Sequence, residues 1–260
     1  MTRAALALLA LALALPARAE EEPLLEDPPG LVGVEPTAPG GATLTLGGGY
    51  ERARNGRARD TYIGGLEAEL GQVDGLDLRV QQAVAYGRAA PSDPEATAPS
   101  WGGATQLGLR WRLMEGSGPL PSVGVWGALS TAYGRSRPTE DATLLALLAW
   151  RLREGERPIA LTANLGGSFR LDPEPGERPA GYELSAGLAF GVARDTSLGL
   201  SYARIQQDRG ERDANLVQAG VWHRLAERGP ILGVVAGAGI GRDSPSLLAG
   251  ITLKFLFGAE

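Results

Sequence analysis

WGGATQLGLRWRLMEGSGPLPSVGVWGALSTAYG, residues Trp101–Gly134, alternates larger apolar residues with small or charged ones, pauses at MEGSGPLP and then resumes. Successive strand side chains point to opposite faces, so a period of two indicates strands whose two faces meet different surroundings. One face of the first half carries Arg110 and Arg112, while the other carries Leu109 and Trp111. The stretch therefore predicts two strands joined by a turn, each with a small or polar face and an apolar face.

The start of the chain has the order of a secretory signal. An Ala/Leu run extends from Ala4 to Leu15, Pro16 ends it, and Ala17-Arg18-Ala19 offers an A-x-A cleavage site. The run is shorter than the ~20 residues of a spanning helix, which disfavours a retained anchor. We expect residues 1–19 to be a signal peptide and the rest to be exported.

Residues 20–40, EEEPLLEDPPGLVGVEPTAPG, are acidic and rich in proline. Prolines cannot donate to a strand ladder, and such composition is typical of flexible segments. We expect a flexible periplasmic lead-in that adds no strand to the domain that follows.

Composition excludes several kinds of site. The chain has no Cys, one His and a net charge of −5, which argues against disulfides, thiolate metal sites and nucleic-acid binding. The stretch VVAGAGIGRD resembles a dinucleotide-binding turn, but Arg242 replaces the last glycine and too little chain follows for a helix. No cofactor and no metal are predicted.

Turn-forming clusters divide the remaining chain into segments of the length that crosses a membrane as tilted strands. The segments are 42–51, 62–73, 75–87, 101–113, 121–134, 142–153, 157–170, 181–193, 195–206, 213–225, 229–241 and 244–257. Most connections alternate between long polar loops and short turns, and most aromatic residues lie near segment ends, as in the girdles of outer-membrane barrels. We predict an all-β fold, a transmembrane antiparallel up-and-down β-barrel of about 12 strands over residues 41–260.

Two segments leave a choice open. TEDATLLALLAWRLREGE begins with Thr139, which suits a helix cap, so a short helix competes there with a strand. An even strand count favours the strand. In the tenth segment the apolar residues fall on both parities, and we predict that a bulge lets Trp222 face lipid within the inner aromatic girdle.

Charged residues within the strands share the face opposite the aliphatic set. Facing lipid, a basic side chain costs ~2–4 kcal/mol at mid-membrane, so these side chains are predicted to face the lumen. They form either a neutralised filling that holds a narrow barrel shut or the lining of a channel. The candidates are Glu67, Glu69, Asp77, Arg79, Arg110, Arg112, Arg151, Arg170, Glu183 and Lys254.

The turn VDG after the second segment fixes one register. A three-residue hairpin loop with Gly75 left-handed places Gln72 opposite Leu76 and, further along, Glu69 opposite Arg79. We expect this pair to meet in the lumen, with the arginines of the fourth segment extending it into a charged ladder.

The segment GGATQLGLRWRLMEGSGPLPSVGVWGALSTAYG resembles the outer-membrane barrel family labelled as transporters of the MetA pathway of phenol degradation. That family has a G-D/T-x-x-L-G-x-K-Y/W-R strand, an acidic-Gly turn with Pro and an apolar strand ending T-x-P-T-G. The resemblance implies an outer-membrane location and transport of small, hydrophobic solutes. Matching positions are Gly103, Thr105, Leu107, Gly108, Arg110, Trp111, Arg112, Pro119, Pro121 and Gly134.

These patterns favour a passive channel or transporter for small solutes. One alternative is a structural or adhesive barrel with a plugged lumen. Another is an outer-membrane lipid hydrolase, but His223 is the only histidine and has no serine near it in sequence. The expected partners are outer-membrane lipids, a small-molecule solute and the barrel-assembly machinery, for which LAGITLKFLFGAE partly fits a last-strand signal.

Overall fold

A computed structural model describes residues 23–52, 60–88, 99–134, 138–175, 177–227, 229–241 and 244–258. Twelve antiparallel strands follow one another in chain order around a closed barrel, and the pairing of β1 with β12 closes the seam. The strands are β1 (Ala42–Arg52), β2 (Thr61–Val73), β3 (Leu76–Arg88), β4 (Pro99–Met114), β5 (Ser122–Tyr133), β6 (Thr139–Arg153), β7 (Ile159–Arg170), β8 (Ala180–Ala193), β9 (Thr196–Ile205), β10 (Ala214–Arg224), β11 (Ile231–Gly239) and β12 (Leu247–Phe257).

The predicted fold class is confirmed, since the sheet closes on itself and has twelve strands. The segment beginning at Thr139 is strand β6, so the helix alternative is wrong there. Its pairing with both β5 and β7 decides its conformation against the local helix signal. The predicted signal peptide, residues 1–19, lies outside the described residues.

Among the described residues, no helix is long and apolar enough to cross a membrane.

The two faces of the wall differ as the alternation requires. On β9, Leu198, Leu200 and Tyr202 are exposed on the outer face, while Ser197 and Ser201 are buried on the inner face. Aromatic rings gather near the strand ends that precede or follow the long connections. Neighbouring examples are Tyr86 with Trp101, whose ring centroids are 4.8 Å apart, and Tyr50 with Tyr62, at 5.5 Å.

The β2–β3 hairpin has the predicted register with a different turn. Glu69 opposes Arg79, as expected, but the residue opposite Leu76 is Val73. The register shifts at Gln72, so the chain makes a two-residue turn at Asp74-Gly75 and adds a bulge before it. Gly75 has φ of +79°, the left-handed conformation that was predicted.

The prediction that Trp222 faces lipid is wrong. Trp222 is 9% exposed and packs inside the barrel, whereas the preceding residue, Val221, is exposed on the outer face. The pairing of β10 with both neighbours runs without a register shift, so no bulge reverses its phase. The indole fits inside because the inward positions around it are glycines, including Gly199 and Gly233.

Candidate functional site

Residues 23–41, called here the N-terminal segment, lie across the inside of the barrel. The segment starts beside the β8–β9 turn, where the Leu24 amide donates to the Arg194 carbonyl at 2.8 Å. It ends beside β2, where the Gly40 amide donates to the Gly71 carbonyl at 3.1 Å. None of its residues belongs to a wall strand. Its composition favours a flexible lead-in, but these contacts give it a fixed position that composition alone does not indicate.

Two aliphatic side chains of the N-terminal segment pack against indoles inside the lumen. Leu24 is buried with Trp222 and Ile231 at one end. Val34 is buried with Trp126 at the other end, together with leucines of β6. These two clusters form the apolar core of the molecule, and each contains a side chain from the segment. The apolar core of this barrel therefore depends on the segment as well as on the wall.

Glycines make room for both indoles. A Cβ atom on Gly108 would lie 2.0 Å from Trp126 Cη2, and one on Gly220 would lie 2.5 Å from Trp222 Cη2. Both distances are far below van der Waals contact, so neither position accepts a larger residue without a shift. At these two positions, glycine is needed because any side chain would overlap an indole ring.

Charged groups hold the N-terminal segment near both apolar clusters. Lys254 Nζ on β12 donates to Glu26 Oε1 at 3.2 Å and Oε2 at 2.9 Å. On β4, Arg112 Nη1 donates to Glu35 Oε2 at 2.6 Å. Each cluster therefore has an ion pair beside it that joins the segment to the wall.

Polar side chains of the wall also bind the backbone of the segment. Ser201 Oγ donates to the Pro29 carbonyl at 2.6 Å, and Asn164 Nδ2 donates to the Val32 carbonyl at 2.8 Å. The Thr37 amide donates to Asp77 Oδ2 at 2.8 Å. Contacts on strands from β2 to β12 fix the segment along its course.

A compact cluster of charges on β2, β3 and β4 contains the predicted pair and Arg110. Arg112, which was predicted to extend the ladder, pairs with Glu35 and Asp74 instead. Glu69 forms an ion pair with Arg79, and Arg110 forms one with Asp77. Arg110 Nη2 also lies 3.3 Å from Glu69 Oε2, so one guanidinium joins both acidic residues. Glu67 lies at the edge of the cluster, with its Oε2 3.6 Å from Arg79 Nη1. Three polar atoms in this cluster, Asp77 Oδ1, Arg79 Nε and Arg110 Nε, are buried without a hydrogen-bond partner.

The other predicted lumen residues are spread over different parts of the barrel. Arg112 and Lys254 bind the N-terminal segment, as described above. Arg151 is exposed at the end of β6 that leads into the short 154–158 connection. Glu183 is half-buried on β8 and lies opposite Gly166. The ten candidates therefore do not form a single site.

Arg170 belongs to a separate polar pocket at the opposite end of the barrel, beside the long connections. Its Nε lies 3.2 Å from Asp141 Oδ1, and its Nη1 lies 2.8 Å from Glu177 Oε1 and 3.6 Å from Asp208 Oδ2. The pocket has a volume of about 160 Å³. Its lining is polar apart from one glycine: Asp141, Ser168, Arg170, Arg178, Gly181, Gln206, Gln207 and Asp208.

Sequence reasoning missed the two buried indoles and the course of the N-terminal segment. One signal is present for Trp126, which lies in the middle of the 121–134 segment, away from both of its ends. Glycines at neighbouring inward positions, such as Gly108, are the other signal. The position of the segment had no such signal, since its partners are far away in sequence.

His223 lies on the exposed outer face of β10, where its Nδ1 is 2.9 Å from Thr196 Oγ1. The two residues are direct cross-strand neighbours, and this pairing accounts for the contact without a catalytic role. In the described part of the chain, no group of three or more His, Cys, Asp or Glu residues is placed to hold a metal ion.

No protein-family model matches the sequence, and no curated protein matches it. Among solved structures, the chain is similar to the COG4313 outer membrane channel from Pseudomonas putida F1, with 15% identity and a TM-score of 0.63 over 89% of this chain and 100% of that one. It is also similar to the beta domain of the Bordetella autotransporter Brka, with 14% identity and a TM-score of 0.50 over 84% of this chain and 100% of that one. At these identities the likeness concerns the fold, and this chain has the fold of an outer-membrane β-barrel.

Proposed function

We propose that this protein is an outer-membrane channel that conducts small solutes passively, after export directed by residues 1–19. One observation carries the proposal: the obstruction in the lumen is a terminal segment, and the wall beside it has small inward residues. On β8 and β9 these include Gly187, Ser197, Gly199 and Ser201, which pack against the N-terminal segment. Withdrawal of the segment leaves a passage that wall side chains of this size do not fill.

The polar pocket around Arg170 supports the same function. It lies at the end of the barrel with the long connections, which faces the outside in barrels of this kind. A volume of about 160 Å³ with a polar lining suits the first contact of a small hydrated solute. We take this pocket as support for a conducting barrel over a purely structural one.

The resemblance of residues 102–134 to the MetA-pathway barrels suggests small hydrophobic solutes as one class of cargo. The charges beside both indoles favour solutes that also carry a polar group. The rival function is a barrel whose lumen stays plugged. In the channel the N-terminal segment leaves the lumen, whereas in the rival it stays there as a permanent plug.

Single-channel recording in planar bilayers separates these functions. The full mature chain is compared with a variant that lacks residues 20–38, and heat-modifiable gel migration checks that each barrel is folded. We expect discrete openings for the full chain and a larger unitary conductance for the shortened one. Silence of both folded proteins overturns the channel, and conductance of the shortened protein alone identifies a plugged barrel.

A further inference from the structure

We propose that the N-terminal segment occupies the lumen as a stand-in for the solute, and that the solutes are small carboxylates with an aliphatic body. The inference rests on the proposed channel function and names its substrate class. It starts from a combination that occurs twice in the lumen: a basic side chain of the wall next to an indole-lined apolar cluster.

The first combination lies between β10 and β12. Lys254 holds the Glu26 carboxylate with both oxygens within 3.2 Å, and Leu24, two residues earlier, is buried against Trp222. A carboxylate and a branched aliphatic group of the same short stretch are thus bound together. Lys254 is opposite Ile231, a member of the same apolar cluster, so the cation and the apolar surface are adjacent.

The second combination lies across the lumen on β4, β5 and β6. Arg112 Nη1 and Ser122 Oγ donate to the two oxygens of Glu35 at 2.6 and 3.3 Å. Val34, the preceding residue, is 1% exposed and lies against Trp126. Here too the wall binds a carboxylate and an aliphatic group as a pair.

The remaining charges of the lumen explain why carboxylates are favoured over amines. Arg79 and Arg110 are paired with Glu69 and Asp77 of the wall itself, and this pairing does not depend on the N-terminal segment. When the segment departs, Lys254 loses the Glu26 carboxylate and Arg112 loses the Glu35 carboxylate. Arg112 retains its contact with Asp74 of the wall, at 3.1 Å. The wall groups that lose an ion-pair partner, Lys254 and Arg112, are both basic, so an incoming carboxylate compensates them.

A free carboxylate competes with the tethered N-terminal segment at ordinary solute concentrations. A tethered ligand acts at an effective concentration of about millimolar when its tether is short and flexible. The two ion pairs are partly reached by water, where such pairs contribute only ~0.2–1 kcal/mol each. A carboxylate at millimolar concentration therefore competes with the segment for the same groups.

Thiol labelling of Val34→Cys measures displacement of the segment directly. The chain has no Cys, so the new thiol is unique, and its position is buried. We expect slow reaction with a maleimide, and acceleration by millimolar hexanoate but not by hexanol or acetate. Hexanol lacks the charge and acetate lacks the aliphatic body. Equal effects of hexanol and hexanoate, or no effect of hexanoate, overturn the proposal. Leu24→Cys is a second reporter at the other cluster.

A matched pair of variants tests the basic partner. In the Val34→Cys background, Glu26→Gln leaves Lys254 without its carboxylate, so the hexanoate concentration for half-maximal labelling falls by a factor of about 2 to 5. Glu156→Gln removes an exposed carboxylate from a turn of the same rim and is expected to change nothing. An identical response of the two variants contradicts the proposal. Labelling requires no ion flow, so hexanoate-dependent labelling of a barrel that never conducts overturns the channel and leaves the carboxylate recognition intact.

Discussion

Glu69 lies directly opposite Arg79 across the β2–β3 hairpin, and the two side chains form an ion pair inside the barrel. The guanidinium carbon of Arg79 also lies 5.0 Å from the centre of the Trp126 ring, against which Val34 packs. A one-residue slip of the hairpin turns Arg79 toward lipid and removes both contacts. The register of one hairpin thus determines how the wall receives the N-terminal segment.

Arg110→Met is expected to lower the free energy of unfolding by about 3–5 kcal/mol, because it leaves a buried carboxylate without its partner. Asp77 is fully buried, and Arg110 is 4% exposed. Urea titration in detergent measures the change. Arg151→Met, at an exposed position, is the control and is expected to stay within ~0.5 kcal/mol of wild type. A variant at position 110 as stable as this control would show that the buried pair contributes little.

Gly108→Ala is expected to destabilise the barrel by ~1–3 kcal/mol, since its Cβ overlaps the Trp126 indole. The matched control is Gly127→Ala on the paired strand β5, where a Cβ meets nothing within 4 Å. Thermal unfolding followed by tryptophan fluorescence compares the two. Equal midpoints for both variants would contradict the tight packing of Trp126 on Gly108.

A disulfide between Val34→Cys and Gly124→Cys is expected to hold the N-terminal segment in the lumen. A Cβ atom on Gly124 lies 3.3 Å from Val34 Cγ1, a separation compatible with disulfide geometry. The oxidised double variant should conduct less than the same protein after reduction, measured on one bilayer before and after adding reductant. The two single-cysteine variants should not respond to reductant. Conductance that is unchanged by reduction would mean that the segment does not limit flow.

The 206–213 connection is expected to loosen in acid. A hydrogen bond from Tyr182 and the guanidinium of Arg204 lower the pKa of Asp213 from its ordinary value of 3.8. A lowered pKa stabilises the folded form above pH 3.8, and this stabilisation is lost as the pH falls through the folded value. Hydrogen exchange of residues 206–213 should accelerate as the pH falls through the folded-state pKa of Asp213. Asp213→Asn should abolish the pH dependence, and its persistence in that variant would assign it to another group.

Local sequence patterns sufficed for the wall. Alternation and turn residues located all twelve strands and the pairing of Glu69 with Arg79, because strand register depends on residues close in sequence. The same reasoning placed Arg110 beside that pair, as found. The turn itself differed by one residue, since a bulge at Gln72 and a shorter loop give the same register as a longer loop.

The interior was less predictable, because it depends on residues far apart in the chain. Trp222 is of a residue type that is common in the aromatic girdles. Only the glycines on β10 and the neighbouring strands show that the lumen has room for its ring. Leu24 and Val34 stand in a stretch whose prolines and acidic residues are typical of disorder. Their burial requires two clusters that exist only after the barrel has formed.

The contact between Glu26 and Lys254 has a consequence for assembly. The two residues are 228 positions apart, and Lys254 belongs to the strand that closes the seam with β1. The Pro29 carbonyl similarly accepts a hydrogen bond from Ser201, 172 positions later. Contacts of such sequence separation form late, since the intervening chain must be ordered first. The N-terminal segment leaves the ribosome before the wall, but we expect it to reach its place after the wall has closed, so that an occupied lumen marks a barrel that has finished folding.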